Sequence, residues 1–369
     1  MRDYRIKRII VDKRVKDSYF VSEVIKRAGG VEIEEVSTEK DSFFADFSFE
    51  EGKSTLFLTS FPGSFVKTCP GTGRGYLCCG YYVINQPVGC PLDCSYCILQ
   101  DYLGPSPLVL YVNFERIKEQ LDDFLKGQGE NIIRIGNGEL TDSLALDWLG
   151  DFSSFFISYF RNKKNVIFEF KTKTDQVEKA LELPSCSNIV FSWSLNPQSI
   201  ISREEHFCAR LEKRIEAAFK VQEKGFMLAF HFDPLIFYPG WEKDYERLID
   251  TLFTFIDPSR IFWISMGALR FPPSLKDIIK ERFPESKIIY EEMIKGLDGK
   301  IRYIKPLRIK LFKKVYSLIR EKAPRVFCYL CMESPDVWEK VMGFSPSSNH
   351  HFKKIFEKHC REVLGKGGA

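Results

Sequence analysis

No stretch of this 369-residue chain approaches the roughly 18 uninterrupted apolar residues that cross a bilayer. The opening MRDYRIKRIIVDK has no apolar segment of the kind that directs secretion, so a cytoplasmic protein with no membrane partner is expected. Histidine is scarce, with five residues in all, and none stands near the densest run of cysteines. Charge of one sign is lacking too. The 54 lysines and arginines against 50 acids leave a net +4, too little to name a partner. No internal repeat or low-complexity tract interrupts the chain.

What is present is ordinary for a globular protein, with 44% hydrophobic and 28% charged residues, enough for a sizeable core. Eleven cysteines in a chain of this size, with no secretion signal, point to reduced thiols and metal binding rather than disulfides.

Short β-rich runs alternate with helical patterns from Asn131 to Met266, the signature of βαβ units and a parallel sheet. Strands are expected near Tyr81 to Asn85 and over Asn131 to Ile135, Asn165 to Lys171, Asn188 to Ser194, Met227 to Asp233 and Arg260 to Met266. Helical patterns fall at Phe114 to Lys126, Ser143 to Phe160, Asp175 to Leu181, Leu211 to Glu223 and Asp244 to Phe255. Six such repeats predict an α/β fold, a partial (β/α)6 TIM-type barrel over residues 79–300. A mixed α/β segment at 1–78 precedes it and a basic helical extension at 301–369 follows. In such barrels the chemistry sits in loops at the carboxyl ends of the strands.

Directly after the first expected strand, VGCPLDCSYCILQ places Cys90, Cys94 and Cys97 in a Cys-x3-Cys-x2-Cys loop. Three thiolates can hold an iron-sulfur cluster and leave one iron open to an outside group, a position S-adenosylmethionine (SAM) can fill. A structural zinc site is the competing reading; it wants four closed ligands, and Cys78 or Cys79 would have to supply the fourth.

The cysteine loop and its place after a first strand resemble the radical SAM superfamily, and the resemblance implies a 4Fe-4S cluster and SAM as cofactors. In that superfamily the reduced cluster cleaves SAM to methionine and a 5'-deoxyadenosyl radical, which abstracts hydrogen from substrate. A flavodoxin or ferredoxin is the kind of electron donor this implies. The blocks CSYCILQDYLG, YVNFERI, LEKRIEAAFKVQEKGF and FYPGWEKDY, in order over roughly residues 80 to 260, are similar to successive pieces of spore photoproduct lyase and its relatives, which split a thymine dimer in DNA. That resemblance implies SAM contacts at Gly136, Gly138 and Glu139 in GNGELTD, at Lys173 in FKTKT and at Ser194 in SWSLN. A cation and a hydroxyl suit a carboxylate.

The chain departs from the lyases at two places. Glu139, Leu140 and Thr141 stand where the lyases carry a cysteine that returns hydrogen to the product radical, and Ile98 stands where they carry a second tyrosine. Tyr96 is retained. Tyr96 and Glu139 are therefore the catalytic candidates, and a different substrate, or a different hydrogen donor such as Tyr96 or another cysteine, is expected.

Other features are less specific. His231 and Asp233 in FHFDP end the fifth expected strand and are candidate substrate contacts. Cys69, Cys78 and Cys79 before the barrel and Cys328 and Cys331 near the end are candidates for an auxiliary cluster or a replacement thiol, whereas Cys186, Cys208 and Cys360 read as structural. Between Arg302 and Arg325 nine basic residues face one acid, Glu321, and Leu307, Leu311, Val315 and Leu318 recur at helical spacing. This predicts an amphipathic helix with its basic residues outward, a solvated face or a nucleic-acid contact. Three functions follow: a radical SAM lyase-like enzyme acting on nucleic acid, a radical SAM enzyme acting on a small molecule or peptide, and a non-catalytic metal-binding protein.

Overall fold

A computed structural model describes residues 5–37, 47–71 and 75–366. Eight strands form its main sheet: β1 (Val66–Thr68), β2 (Tyr82–Ile84), β3 (Ile133–Gly136), β4 (Val166–Thr172), β5 (Ile189–Ser194), β6 (Met227–Leu235), β7 (Ile261–Ala268) and β8 (Cys328–Leu330). They lie side by side in chain order. From β2 to β8 every neighbouring pair is parallel, and only β1 runs antiparallel, against β2. The six expected strands form the middle of this curled half-barrel. The strands at its two edges, three residues each, carry too little pattern to be read from sequence.

Strands β3, β5 and β7 are buried along their whole length, as parallel strands covered on both faces must be. Helices α1 (Phe114–Lys126), α2 (Leu211–Lys224) and α3 (Trp241–Phe255) lie where their periodicity predicts. The long helix expected over Ser143 to Phe160 is broken instead. Asp151 takes a left-handed conformation (φ 50°) between the short helix Asp147–Gly150 and the helix Phe152–Phe160.

The N-terminal part is a second, four-stranded parallel sheet of Glu32–Val36, Arg8–Asp12, Thr55–Thr59 and Leu108–Tyr111, in that order. Its small core of Ile9, Val11, Leu56, Leu58, Leu108 and Leu110 is closed by Leu146, Leu149 and Phe152 from the barrel. The sheets therefore do not respect a division at 78/79 or 300/301: one strand of the N-terminal sheet lies past the first boundary, and β1 and β8 bring the barrel sheet residues from outside both.

Helix α4 (Lys305–Lys322) holds the basic stripe, but its charges are not all outward. Arg308 is buried and paired with Glu333, Nε to Oε1 2.7 Å, and Arg302, in the strand before the helix, is buried on Asp298. On the outer side Lys310, Lys314 and Lys322 pair with Glu242, Glu246 and Asp250 of α3, four residues apart and so on one face of that helix. Lys305 pairs with Asp336. Three of the stripe's nine cations thus form a helix-to-helix seam.

A buried cation stripped of its partner costs far more than an exposed one. Arg308→Ala is expected to destabilise the protein by about 3–5 kcal/mol. Lys313→Ala, for which no acid partner is found among the described residues, is expected to stay within about 0.5 kcal/mol. Urea unfolding of the two variants measures the difference.

Candidate active site

The loop bearing the three cysteines follows β2 and is tied down through its own carbonyls. Lys53 Nζ, from the N-terminal part, donates to the carbonyls of Cys90 (3.1 Å) and Leu92 (2.7 Å), and Gln100 Nε2 to those of Cys94 (3.0 Å) and Ser95 (2.9 Å). Arg282 clasps the Asp93 carboxylate with both terminal nitrogens, at 3.1 and 2.9 Å. A loop with so many groups satisfied can hold buried thiols in place.

All three thiols open onto one cavity of about 290 Å3 at the carboxyl ends of the strands. Its wall includes Tyr96, Gly138, Glu139, Lys173, Ser194 and Asp233, so nine of the eleven residues expected for cluster, SAM, catalysis and substrate contact face one space. Gly138 is packed tightly there: a Cβ would sit 2.8 Å from both Lys171 Cβ and Ser143 Oγ. Lys173 Nζ lies 5.9 Å from the centre of the Tyr96 ring, and Lys171 Nζ is 3.7 Å from Glu139. Burial pushes the Cys90 and Cys97 thiols up, whereas a hydrogen bond from Cys208, 3.5 Å away, pulls Cys94 down.

Two candidates lie elsewhere. Gly136 is packed beneath the cavity, where a Cβ would meet the Tyr81 hydroxyl at 2.0 Å and the Glu169 carbonyl at 2.4 Å. His231 is two residues deeper along β6 than Asp233 and sits inside the barrel, Nε2 2.6 Å from Glu169 Oε1 and Nδ1 2.6 Å from Ser265 Oγ. Residues two apart in a strand share a face, so the sequence could place both inward but could not give their depth. Asp233 at the cavity is paired in bidentate fashion with Arg270, at 3.0 and 3.1 Å.

Several residues escaped the sequence reading. Asp142, just past the glycine loop, accepts from the Leu144 and Ala145 amides (3.0 Å each), the Thr172 hydroxyl (2.7 Å) and the Lys173 amide (2.6 Å), and so fixes Lys173 relative to the loop. Its signal was there, an Asp ahead of a helical pattern, the residue type that caps amides. Buried Glu205 takes bonds from Tyr96, from Asn196 (2.9 Å) and from buried Arg214 (2.5 Å). Of the five cysteines expected from the sequence as an auxiliary cluster or replacement thiol, Cys69, Cys78, Cys79 and Cys331 form part of the cavity wall, whereas Cys328 does not. Cys208, read as structural, touches a thiol of the cysteine loop.

The family model for spore photoproduct lyase matches residues 78–323. The chain belongs to the spore photoproduct lyase family. It is thus an enzyme of the radical SAM kind with lyase-type relatives. It is 29% identical over 247 residues to spore photoproduct lyase of Bacillus subtilis, covering 66% of this chain and 70% of that one. It is 25% identical over 242 residues to the Clostridium acetobutylicum lyase, covering 65% and 70%. Solved structures of spore photoproduct lyase share the fold. One complexed with dinucleoside spore photoproduct has a TM-score of 0.78 at 21% identity, covering 89% of this chain and 99% of its own, and a variant that also holds bound AdoMet (SAM) aligns equally well.

The interior His231–Glu169 pair in this family member makes stability depend on pH. Burial pushes His231 below its ordinary 6.5, and for Glu169 the pull of His231, Arg134 and Lys171 outweighs burial and holds it down to about 2. Both shifts mean that the folded state binds fewer protons than the unfolded one, so stability is complete above the unfolded pKa values and falls as pH drops. The urea midpoint of the wild type is expected to decline as pH is lowered from about 7.5 to about 5, through the unfolded histidine pKa, with a shallower decline in His231→Gln.

Proposed function

We propose that Cys90, Cys94 and Cys97 hold a 4Fe-4S cluster and that Gly138, Glu139, Lys173 and Ser194 hold SAM beside it, for a hydrogen abstraction on a nucleic-acid lesion or nucleotide. The observation that carries this reading is the single cavity shared by the three thiols and all four of the other residues. Its chemistry fits: soft donors on one side, a cation, a hydroxyl and a glycine-lined approach on the other. When bound, a reduced cluster with SAM supplies one-electron cleavage and an abstracting radical. A ferredoxin or flavodoxin would deliver that electron.

The chain's own residues do the orienting. Lys173, held by Asp142 through its amide, offers its ammonium to the SAM carboxylate. Ser194 at the end of β5 offers a hydroxyl to the same group. Gly138 and Glu139, both on the cavity wall, receive the amino group, and the Glu139 carboxylate accepts from it.

Tyr96 is a poor candidate for returning hydrogen, because its hydroxyl is committed to Glu205. Cys331 is better placed. It lines the cavity, and burial raises its thiol to about 11, so at neutral pH it keeps the weak S–H bond that a hydrogen-atom donor requires. In deuterated solvent its exchangeable thiol would label the product. Cys331→Ala is expected to lower that label more than tenfold while 5'-deoxyadenosine still forms; unchanged labelling would remove Cys331 from the reaction.

The relatives' lesion-bound structures favour a DNA substrate. The pairing of Lys310, Lys314 and Lys322 with α3 favours the alternative, a small molecule or peptide, because three of the cations that would have met phosphates already answer acids. Anaerobic reconstitution, reduction with SAM and chromatography test the common part: 5'-deoxyadenosine should form, and fall by more than a hundredfold in Cys94→Ala. Repeating substrate binding over a range of salt separates the alternatives. A polymer duplex gives a log–log slope of about −0.9 per phosphate neutralised, and a neutral small molecule a slope near zero.

A further inference from the structure

The turn from Glu205 to Ala209 brings a second sulfur onto one of the loop's thiols. Cys208 Sγ stands 3.5 Å from Cys94 Sγ, and both side chains are buried. The approach is built by the backbone. Glu205 and His206 pair with Cys94 and Asp93 in a short antiparallel ribbon, and the Ser95 amide donates to the Glu204 carbonyl at 2.8 Å. On the far side the Ala209 amide donates to the Lys173 carbonyl at 2.9 Å, and Arg214 grips both the Glu205 carboxylate and, through Nε, the Ala209 carbonyl at 2.8 Å.

Between these anchors Phe207 adopts φ 62°, a left-handed conformation that side chains other than glycine rarely take. It reverses the chain so that its own ring is left 45% exposed while the next residue, Cys208, turns inward. Strain of this kind persists where the surroundings over-determine it, and it concentrates at working sites. Here what it achieves is the sulfur-to-sulfur contact.

We propose that, in protein lacking its cluster, Cys94 and Cys208 are the partners of a reversible disulfide that withholds Cys94 from iron. A disulfide S–S bond is about 2.0 Å long, so the two sulfurs close the remaining ~1.5 Å by side-chain rotation within an anchored turn. The oxidant is a peroxide. One thiolate attacks hydrogen peroxide and becomes a sulfenic acid with release of the first water, and the other thiol displaces the second water as the S–S bond forms. Two protons and two electrons leave the thiol pair and the peroxide ends as two waters. A dithiol or phosphine reductant returns both sulfurs to thiols.

The disulfide requires nothing of the cluster, but its consequence rests on the reading of Cys94 as a cluster ligand. The test separates the two. Full-length protein is freed of iron under reductant, desalted, exposed to hydrogen peroxide, alkylated and digested without reduction for mass spectrometry. A peptide pair joining Cys94 to Cys208 is expected. Anaerobic iron and sulfide uptake by this oxidised protein should fall several-fold and return after phosphine treatment. Cys208→Ser and Cys208→Ala, checked for native circular dichroism, should take up iron equally well with or without peroxide. Recovery of Cys208 as an alkylated free thiol while Cys94 is oxidised or joined elsewhere overturns the disulfide. A Cys94–Cys208 bond that leaves iron uptake undiminished overturns the withholding role, and with it the assignment of Cys94 to the cluster.

Discussion

The arrangement of this site depends on one buried ion pair. Arg214 and Glu205 are both fully out of water, and each has spare hydrogen-bonding capacity that the fold uses. A buried pair of this kind rarely stabilises a protein more than well-packed apolar residues would, so what it contributes is position. Glu205 fixes Tyr96 in the cysteine loop and Asn196 after β5, and Arg214 reaches the carbonyls of Ser194 and Ala209. The cysteine loop, the end of β5 and the start of α2 therefore share one electrostatic hub. An error at either charge would be felt at two walls of the cavity at once, the cysteine loop and the end of β5.

Much of this was legible from residues alone, for identifiable reasons. The middle strands of the half-barrel are buried on both faces, which makes them dense apolar runs flanked by turn residues, and such runs survive without context. Edge strands β1 and β8 have three residues each and little to distinguish them from loops. The cysteine loop, the glycine loop, Lys173, Ser194 and Asp233 could be placed near one another because all fall at the carboxyl ends of parallel strands. His231 could not be separated from Asp233, since depth along a strand leaves no mark in the pattern.

The basic stripe shows a different limit. Read on its own helix it has one acid against seven cations. The acids that answer three of these cations, Glu242, Glu246 and Asp250, are about seventy positions earlier on α3, and only the packing of the two helices reveals them. Cys208 is a similar case. Alone in its stretch of chain, it gives no hint of a partner 114 residues away until the turn carrying it is seen against Cys94.

The path of the chain through the two sheets has an evolutionary corollary. Leu108–Tyr111 is threaded into the N-terminal sheet between two segments of the barrel, and Lys53 of that sheet's side grips the cysteine loop by its carbonyls. Modules joined end to end can be shuffled, lost or exchanged by a single recombination event. Here any such event would tear a strand from one sheet and a clamp from the other. The N-terminal region and the barrel are interleaved in this way, and a substitution in the small sheet can alter the chemistry of a loop that it never touches.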